Sequence, residues 1–145
     1  MNQKPQKWWI ASDHAGYALK QHLLKTVLAT PLECRDLGPD SEESVDYPDF
    51  ADRVAEALKQ EPDGFGILIC GSGQGMAIRA NRYPHLRATL CCNTEWARLA
   101  REHNNANVLC LGGRLTSPEQ AEEIFKVFST TEFAGGRHLR RVEKL

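Results

Sequence analysis

Short apolar runs alternate along the chain with stretches in which apolar residues recur every three or four positions. The runs predict β-strands, and the stretches between them predict helices. The runs are continuously apolar, as in strands of a parallel sheet that is covered on both faces. The chain is therefore predicted to be an α/β protein with helices on both sides of a five-stranded parallel sheet, whose strands lie at residues 8–12, 32–37, 65–70, 88–92 and 108–111.

Residues that favour helix ends mark several boundaries between these elements. Pro48 is well placed to begin a helix, and Ser117, which Pro118 follows, is well placed to begin another. Thr94 is expected to cap a helix that runs through His103. The last segment, 133–145, is rich in arginine and has little apolar content.

The composition suits one folded domain that spans residues 1–145, because 41% of the residues are apolar and 26% are charged. Residues 1–7 are polar and are expected to form a flexible N-terminal extension. The net charge of -1 gives no overall attraction to nucleic acid or to an acidic membrane, so neither is an expected partner. No apolar run approaches the roughly 18 residues of a membrane span, and no signal-peptide core follows the start. A cytoplasmic location is therefore expected.

Five cysteines stand in or at the ends of the apolar runs, and none is paired at metal-binding spacing. This usage suits a reducing compartment and argues against a metal site, so no metal is expected. Cys70 is distinct because a glycine-rich sequence follows it directly. The others are interpreted as small apolar residues of the core: Cys34, Cys91, Cys92 and Cys110.

The sequence from Cys70 to Gly75 predicts a strand end, a loop that can hold an anion, and a helix N-terminus. Its glycines let the backbone approach a ligand, while the first amides of the helix offer unpaired N–H donors. A thiol at this place is expected to ionise more readily than a free one. The spacing departs from G-x-G-x-x-G because Met76 replaces the last glycine, and no Gly-Lys-Ser/Thr follows as in a Walker loop. A small anion or the oxyanion of a reacting sugar therefore fits the loop better than a dinucleotide.

Other candidates follow the ends of predicted strands. Asp13 comes after the first strand and Arg114 after the fifth, so both are expected at the carboxyl edge of the sheet, where Cys70 also lies. Asp13 could also cap the first helix, and the two roles can coexist. His103 could stabilise a helix C-terminus or act on a ligand. The arginines of segment 137–141 could form a solvated basic surface or hold a phosphate ester by paired hydrogen bonds.

Seven motifs follow one another along the chain: Ser12-Asp13-His14-Ala15-Gly16, Asp46-Tyr47-Pro48, Cys70-Gly71-Ser72-Gly73-Gln74-Gly75, Ala80-Asn81, His103-Asn104, Asn107-Val108-Leu109 and Gly135-Gly136-Arg137-His138. From the residues alone, the second of these is interpreted only as a helix start. Together, and in this order, they resemble the motifs of the ribose-5-phosphate isomerase B family, and the resemblance extends from about residue 8 to residue 142. It implies a Rossmann-like three-layer α/β/α fold and a homodimer or tetramer whose active sites combine residues of two subunits.

The resemblance also implies a role for each matching residue. Cys70 would be the base that moves a proton between C1 and C2 of the open-chain sugar; family members without this cysteine have a glutamate where this chain has Met76. Ser72 and the loop amides would stabilise the enediolate oxygen. His103 of the partner subunit would help Asp13 to open the furanose ring. The implied substrate-binding residues are His14, Gly71, Gly73, Gln74, Gly75, Asn81, Asn104, Arg114, Arg137 and Arg141.

The implied activity is an aldose–ketose isomerase that interconverts D-ribose 5-phosphate and D-ribulose 5-phosphate through a cis-enediolate, without a cofactor. A six-carbon substrate, such as allose or galactose 6-phosphate, is an alternative, because the sequence gives no pocket depth. A protein that binds a sugar phosphate without turnover is a further alternative.

Overall fold

A parallel sheet forms the centre of the protein in the computed structural model, which describes residues 6–29 and 33–145. Its strand order is β2-β1-β3-β5-β4. The strands are β1 (Lys7–Ser12), β2 (Glu33–Asp36), β3 (Phe65–Cys70), β4 (Ala88–Leu90) and β5 (Val108–Gly112). The helices are α1 (Tyr17–Lys25), α2 (Tyr47–Gln60), α3 (Gln74–Ala80), α4 (Thr94–Asn104), α5 (Pro118–Thr130) and α6 (Arg137–Val142).

Two layers of helices cover the apolar strands, one on each face of the sheet. Trp8 and Ile10 of β1 pack with the buried residues of α1, α4 and α5. Trp9 and Ala11 point to the opposite face and pack with α2 and α3. This alternation follows from the two-residue period of a strand, and it explains why β1 is apolar throughout. The predicted three-layer α/β/α fold with a five-stranded parallel sheet is confirmed.

Both ends of the chain depart from the sequence prediction. Lys7 pairs with Glu33 as the first residue of β1, so it does not belong to a flexible extension. Residues 1–5 of the predicted extension lie outside the described residues, as does Leu32 of the predicted second strand. Helix α6 was not predicted: it has six residues, too few for a helical period to stand out, and none of them is buried.

The region around β4 also differs from the prediction. Strand β4 ends at Leu90, and Cys92 is exposed, so its interpretation as a core residue is wrong. The cap of α4 is Asn93 rather than Thr94, because the Asn93 side-chain oxygen accepts a hydrogen bond from the Trp96 N–H group at 2.9 Å. Cys91 and Cys110 are buried as predicted, and Cys34 is partly buried.

The turns that follow β1, β3 and β5 are in close backbone contact at the carboxyl edge of the sheet. Gly73, in the turn after β3, has a φ of 79°, and a Cβ atom there would lie 3.0 Å from the Leu111 carbonyl oxygen. A Cβ atom on Gly16, after β1, would collide with the Ile69 carbonyl oxygen. Glycine is therefore required for these turns to meet, and their meeting forms the floor of the site described next.

Across the described parts of the chain, no helix is both long enough and apolar enough to span a lipid bilayer.

Candidate functional site

A cleft of about 400 Å³ opens at the carboxyl edge of the sheet. The turns after β1, β3 and β5 each contribute to its lining, as expected for an open parallel sheet. Six of the predicted site residues line this cleft: Asp13, Cys70, Gly71, Ser72, Gly75 and Arg114. The remaining lining residues are Tyr47 and Leu115.

Cys70 places its thiol at the base of this cleft. It is the last residue of β3 and is only 5% exposed. The Gly73 N–H group donates a hydrogen bond to Cys70 Sγ at 3.2 Å. The glycine loop therefore supplies a donor to the sulfur itself, and the thiol lies where a small ligand in the cleft would meet it.

Three other thiols, one partly buried and two buried, have surroundings that oppose ionisation. Burial raises the pKa of Cys34 to about 12, with a further contribution from the charge of Asp36. Burial likewise raises the pKa of Cys91 to about 11 and raises that of Cys110. These three cysteines stay protonated at neutral pH, which agrees with their predicted role as apolar residues.

Asp13 lines the cleft and closes the turn before α1, whose N-cap residue is Gly16. Its side chain is buried, and Oδ1 accepts a hydrogen bond from the Gly16 N–H group at 3.0 Å. Of the two roles weighed from the sequence, Asp13 therefore lies at the cleft, whereas the cap of α1 is Gly16. Ser72 is half-buried across the cleft, and its Oγ accepts a hydrogen bond from the Gln74 N–H group at 3.4 Å.

Tyr47 lines the cleft, but the sequence analysis gave it no site role. It begins α2 and lies against the glycine loop, since a Cβ atom on Gly75 would lie 2.5 Å from the Tyr47 ring. The Asp46-Tyr47-Pro48 motif was the available signal, but its residue types alone indicate only a helix start. Leu115 was also missed; it follows Arg114 and is 72% exposed.

An ion pair between helices holds α3, which follows the glycine loop, against α2. Arg79 of α3 donates to both carboxylate oxygens of Asp52, at 2.8 and 3.2 Å, and the Tyr83 hydroxyl donates to Asp52 Oδ1 at 2.6 Å. The hydrogen bond from Arg79 is the main cause that lowers the pKa of Asp52. The helix that carries the loop is thus tied to the helix that carries Tyr47.

His14 lies beside the cleft and is oriented by the backbone. Its Nδ1 atom accepts a hydrogen bond from the Val45 N–H group at 3.2 Å. His14 is not among the residues that line the cleft. Gln74, another predicted binding residue, is the exposed first residue of α3.

A second group of predicted residues lies at the ends of α4 and α6, and none of its members lines the cleft. We call it the His–Arg cluster; it consists of His103, His138, Arg137 and Arg141. The rings of His103 and His138 stack with centroids 4.2 Å apart, and the two arginines are exposed. Desolvation and then the neighbouring charges, foremost His103, lower the pKa of His138. His138, which the sequence analysis named only within a motif and gave no role, is thus packed against a candidate functional residue.

Asn81 and Asn104 also lie away from the cleft and line another concavity, of about 510 Å³. The Asn81 side chain donates to the Ala88 carbonyl oxygen at 2.9 Å and accepts from the Ala88 N–H group at 2.8 Å. Within one chain, Asn81 therefore joins the end of α3 to β4.

The cleft can support proton transfer on a small anionic substrate. It combines a thiol, a hydroxyl, loop amides and a guanidinium, which are the groups needed for a base, an oxyanion donor and an anion anchor.

A larger concavity of about 850 Å³, between α2 and segment 83–87, contains none of the predicted site residues. Within residues 6–29 and 33–145, no three His, Cys, Asp or Glu side chains group as metal ligands.

The chain is similar to known sugar-phosphate isomerases over almost its whole length. The family model described as Ribose/Galactose Isomerase matches residues 9–145. The probable ribose-5-phosphate isomerase B of Mycoplasma pneumoniae is 41% identical over 138 residues, which cover 94% of this chain and 91% of that protein.

Solved structures share the fold and much of the sequence. The ribose 5-phosphate isomerase of Thermotoga maritima superposes with a TM-score of 0.93 and 50% identity, covering 96% of each chain. Ribose-5-phosphate isomerase B from Mycoplasma genitalium, solved with bound ribulose-5-phosphate, gives a TM-score of 0.92 and 40% identity, covering 98% of this chain and 95% of that one.

Proposed function

The chain belongs to the ribose/galactose isomerase family, and we propose that it interconverts D-ribose 5-phosphate and D-ribulose 5-phosphate through a cis-enediolate. The observation that carries this proposal is the buried Cys70 thiol at the lip of a glycine loop, in a cleft that Arg114 also lines. The bound ribulose-5-phosphate of the Mycoplasma genitalium relative supports the choice of a five-carbon sugar phosphate.

Cys70 performs the proton transfer in this proposal. As the thiolate, it removes the proton from C2 of the open-chain aldose, and the electron pair of that bond forms the enediolate. The hydroxyl proton then passes from O2 to O1 while the resulting thiol returns the first proton to C1, which gives the ketose. Donors from Ser72 and from the loop amides stabilise the developing oxyanion, and such a donor is worth roughly 3–4 kcal/mol of transition-state stabilisation. The Gly73 N–H group also supports the negative charge on the sulfur.

The phosphate is held away from the reacting carbons. Arg114 and His14 approach it from the chain that supplies Cys70, and Arg137 and Arg141 approach it from a second copy. Guanidinium groups bind phosphate oxygens through paired hydrogen bonds. Binding energy from the phosphate then orients C1 and C2 against the thiol.

Ring opening requires groups that lie in different parts of one chain. Asp13 lines the cleft, whereas His103 belongs to the His–Arg cluster. We therefore propose a homodimer or tetramer in which the His–Arg cluster of one copy completes the cleft of another. In this assembly His103 of the second copy assists proton transfer on the ring oxygen.

The predicted cellular location accords with this activity. The cysteines of the described residues are all free, which suits the reducing environment of the cytoplasm. Neither a cofactor nor a metal has a step in the proposed mechanism.

A coupled assay of purified, EDTA-treated protein tests the proposal. Turnover of ribose 5-phosphate that exceeds turnover of allose 6-phosphate and galactose 6-phosphate is expected. Turnover of a hexose phosphate alone would assign the chain to the six-carbon branch of the family. Binding of ribose 5-phosphate without turnover of any of the three sugars would contradict an isomerase function.

A further inference from the structure

Lys20 is a buried cation that the proposed mechanism does not use. Its side chain is 0% exposed, and it lies on α1, outside the cleft. Its Nζ donates to both carboxylate oxygens of Asp36, each at 2.8 Å, and to the Pro39 carbonyl oxygen at 3.0 Å. An ammonium group has three N–H donors, so these contacts can satisfy all of them.

The contacts of Lys20 hold the start of the segment that connects β2 to α2, which we call the 37–46 segment. Asp36 Oδ1 also accepts a hydrogen bond from the Gly38 N–H group at 2.8 Å, and the Gly38 carbonyl oxygen accepts from Ser12 at 3.0 Å. The Tyr17 hydroxyl, on the same helix as Lys20, donates to the Asp40 carbonyl oxygen at 3.2 Å. The segment is therefore anchored to α1 and to the end of β1.

The far end of the 37–46 segment meets the site. The Val45 N–H group donates to His14 Nδ1, and Tyr47, which lines the cleft, follows directly. A backbone N–H can only donate, so Nδ1 carries no proton while this bond exists. The proton of the neutral His14 ring is then on Nε2, which makes Nε2–H the donor that His14 offers to a ligand.

We propose that Lys20 is a positioning residue that fixes the His14 tautomer through the 37–46 segment. By holding Asp36 and Pro39, Lys20 keeps the Val45 N–H group on Nδ1 and keeps Nε2–H directed to the sugar phosphate. Hydrogen bonds of this structure anchor residues 36–40 at one end of the segment and Val45 at the other, and residues 41–44 connect the two anchors through the chain. The effect of Lys20 on substrate binding rests on the proposed function.

Lys20→Met tests the proposal, with Lys25→Met as the matched control. Lys25 is an exposed lysine on the same helix, and Met keeps the length of the apolar stem. The first readout is the protonation of the His14 ring nitrogens by ¹⁵N NMR on the full-length protein without substrate, with signals identified by their loss in His14→Asn. We expect an unprotonated Nδ1 in wild type and in Lys25→Met, and a mixture of the two tautomers in Lys20→Met.

The second readout is the division of the effect between KM and kcat. Lys20→Met is expected to raise KM for ribose 5-phosphate about tenfold while changing kcat about twofold or less, because a binding contact is lost and the base is untouched. An unchanged tautomer in folded Lys20→Met overturns the proposal, whatever happens to KM. The NMR spectrum reports the His14 tautomer even if ribose 5-phosphate is not the substrate. Failure of the Lys20 proposal can therefore be distinguished from failure of the proposed function.

Asp36→Asn provides a second route if Lys20→Met does not fold. The Asp36 side chain is 31% exposed, and asparagine keeps an oxygen that can accept from Lys20 and Gly38. The variant weakens the anchor without removing the ammonium, so an intermediate tautomer shift is expected. A wild-type His14 spectrum in Asp36→Asn would contradict the proposed linkage.

Discussion

The cleft and the His–Arg cluster are built in opposite ways, although both contain candidate catalytic residues. The cleft is formed by three turns whose backbones touch, and Asp13 and Cys70 within it are buried. The cluster lies on the end of α4 and on α6, a helix without buried residues. The fold therefore fixes the proposed base within one chain but places His103, Arg137 and Arg141 on a surface, where a second copy can use them.

The largest expected effect is on turnover and concerns the cleft. Cys70→Ala removes the proposed base and is expected to lower kcat about 10²–10⁴-fold, the usual contribution of a positioned general base. Cys92→Ala, at an exposed thiol, is expected to leave kcat unchanged. Steady-state kinetics of both variants provide the measurement. Equal activity of Cys70→Ala and wild type would rule out the assigned role.

The next largest effect is on the free energy of unfolding, which we expect to fall more for a glycine substitution at the cleft than for one beside the His–Arg cluster. Gly73→Ala combines a left-handed backbone with a Cβ atom against Leu90 and the Leu111 carbonyl, and is expected to cost about 2–4 kcal/mol of unfolding free energy. Gly135, next to α6, has a φ of 64° but no neighbour within 4 Å of a Cβ atom, so Gly135→Ala is expected to cost about 1 kcal/mol. Urea denaturation measures both. Equal losses would mean that tight backbone packing does not distinguish the cleft.

The third effect is on the KM for ribose 5-phosphate and tests the arginines of the His–Arg cluster. Arg137→Met is expected to raise KM about tenfold with a smaller change in kcat, since a charge-assisted hydrogen bond to phosphate is lost. Arg140→Met, at another exposed arginine of α6, serves as the control. If Arg140→Met raised KM as much as Arg137→Met, α6 would provide only a general positive charge.

The smallest expected effect is a change in the pH at which His138, one of the two stacked histidines, titrates. His138 is expected to titrate below an ordinary histidine, because its pKa is lowered by desolvation and by His103, Arg137 and Arg141. A depressed pKa in the folded state means that the stacked arrangement is favoured above the unfolded pKa and is weakened as the pH falls. Arg141→Met should raise the His138 midpoint in an NMR pH titration. An unchanged midpoint would contradict electrostatic coupling within the cluster.

The sequence was sufficient to predict the regions that the core determines. Continuous apolar strands such as β3 predict a buried parallel sheet, and that prediction is confirmed. The glycine loop after Cys70 predicts a site at the carboxyl edge of the sheet, and in the structure this loop lines a cleft there. The contact of Tyr47 with Gly75 depends on how α2 packs against the loop, and that packing is not encoded locally. Helix α6 has only six residues, too few for a helical period to stand out, and none of them is buried.

The spacing of residues along the sequence likewise could not predict that the cleft and the His–Arg cluster lie apart within one chain. The order of residues cannot tell whether His103 faces its own Cys70 or that of another copy. The sequence resemblance implied a second copy, and the structure of one chain places His103 against His138, outside the set of residues that line the cleft.

Subunit complementation tests most directly the central claim that two chains form each active site. Co-expressed Cys70→Ala and His103→Ala chains should form mixed dimers in which one site has an intact cleft and an intact cluster. Since random pairing makes half of the dimers mixed, the preparation should recover about a quarter of wild-type activity. Co-expressed Cys70→Ala and Asp13→Ala chains, both altered in the cleft, should recover none. Activity of the first mixture no higher than that of its separate variants would contradict the composite site.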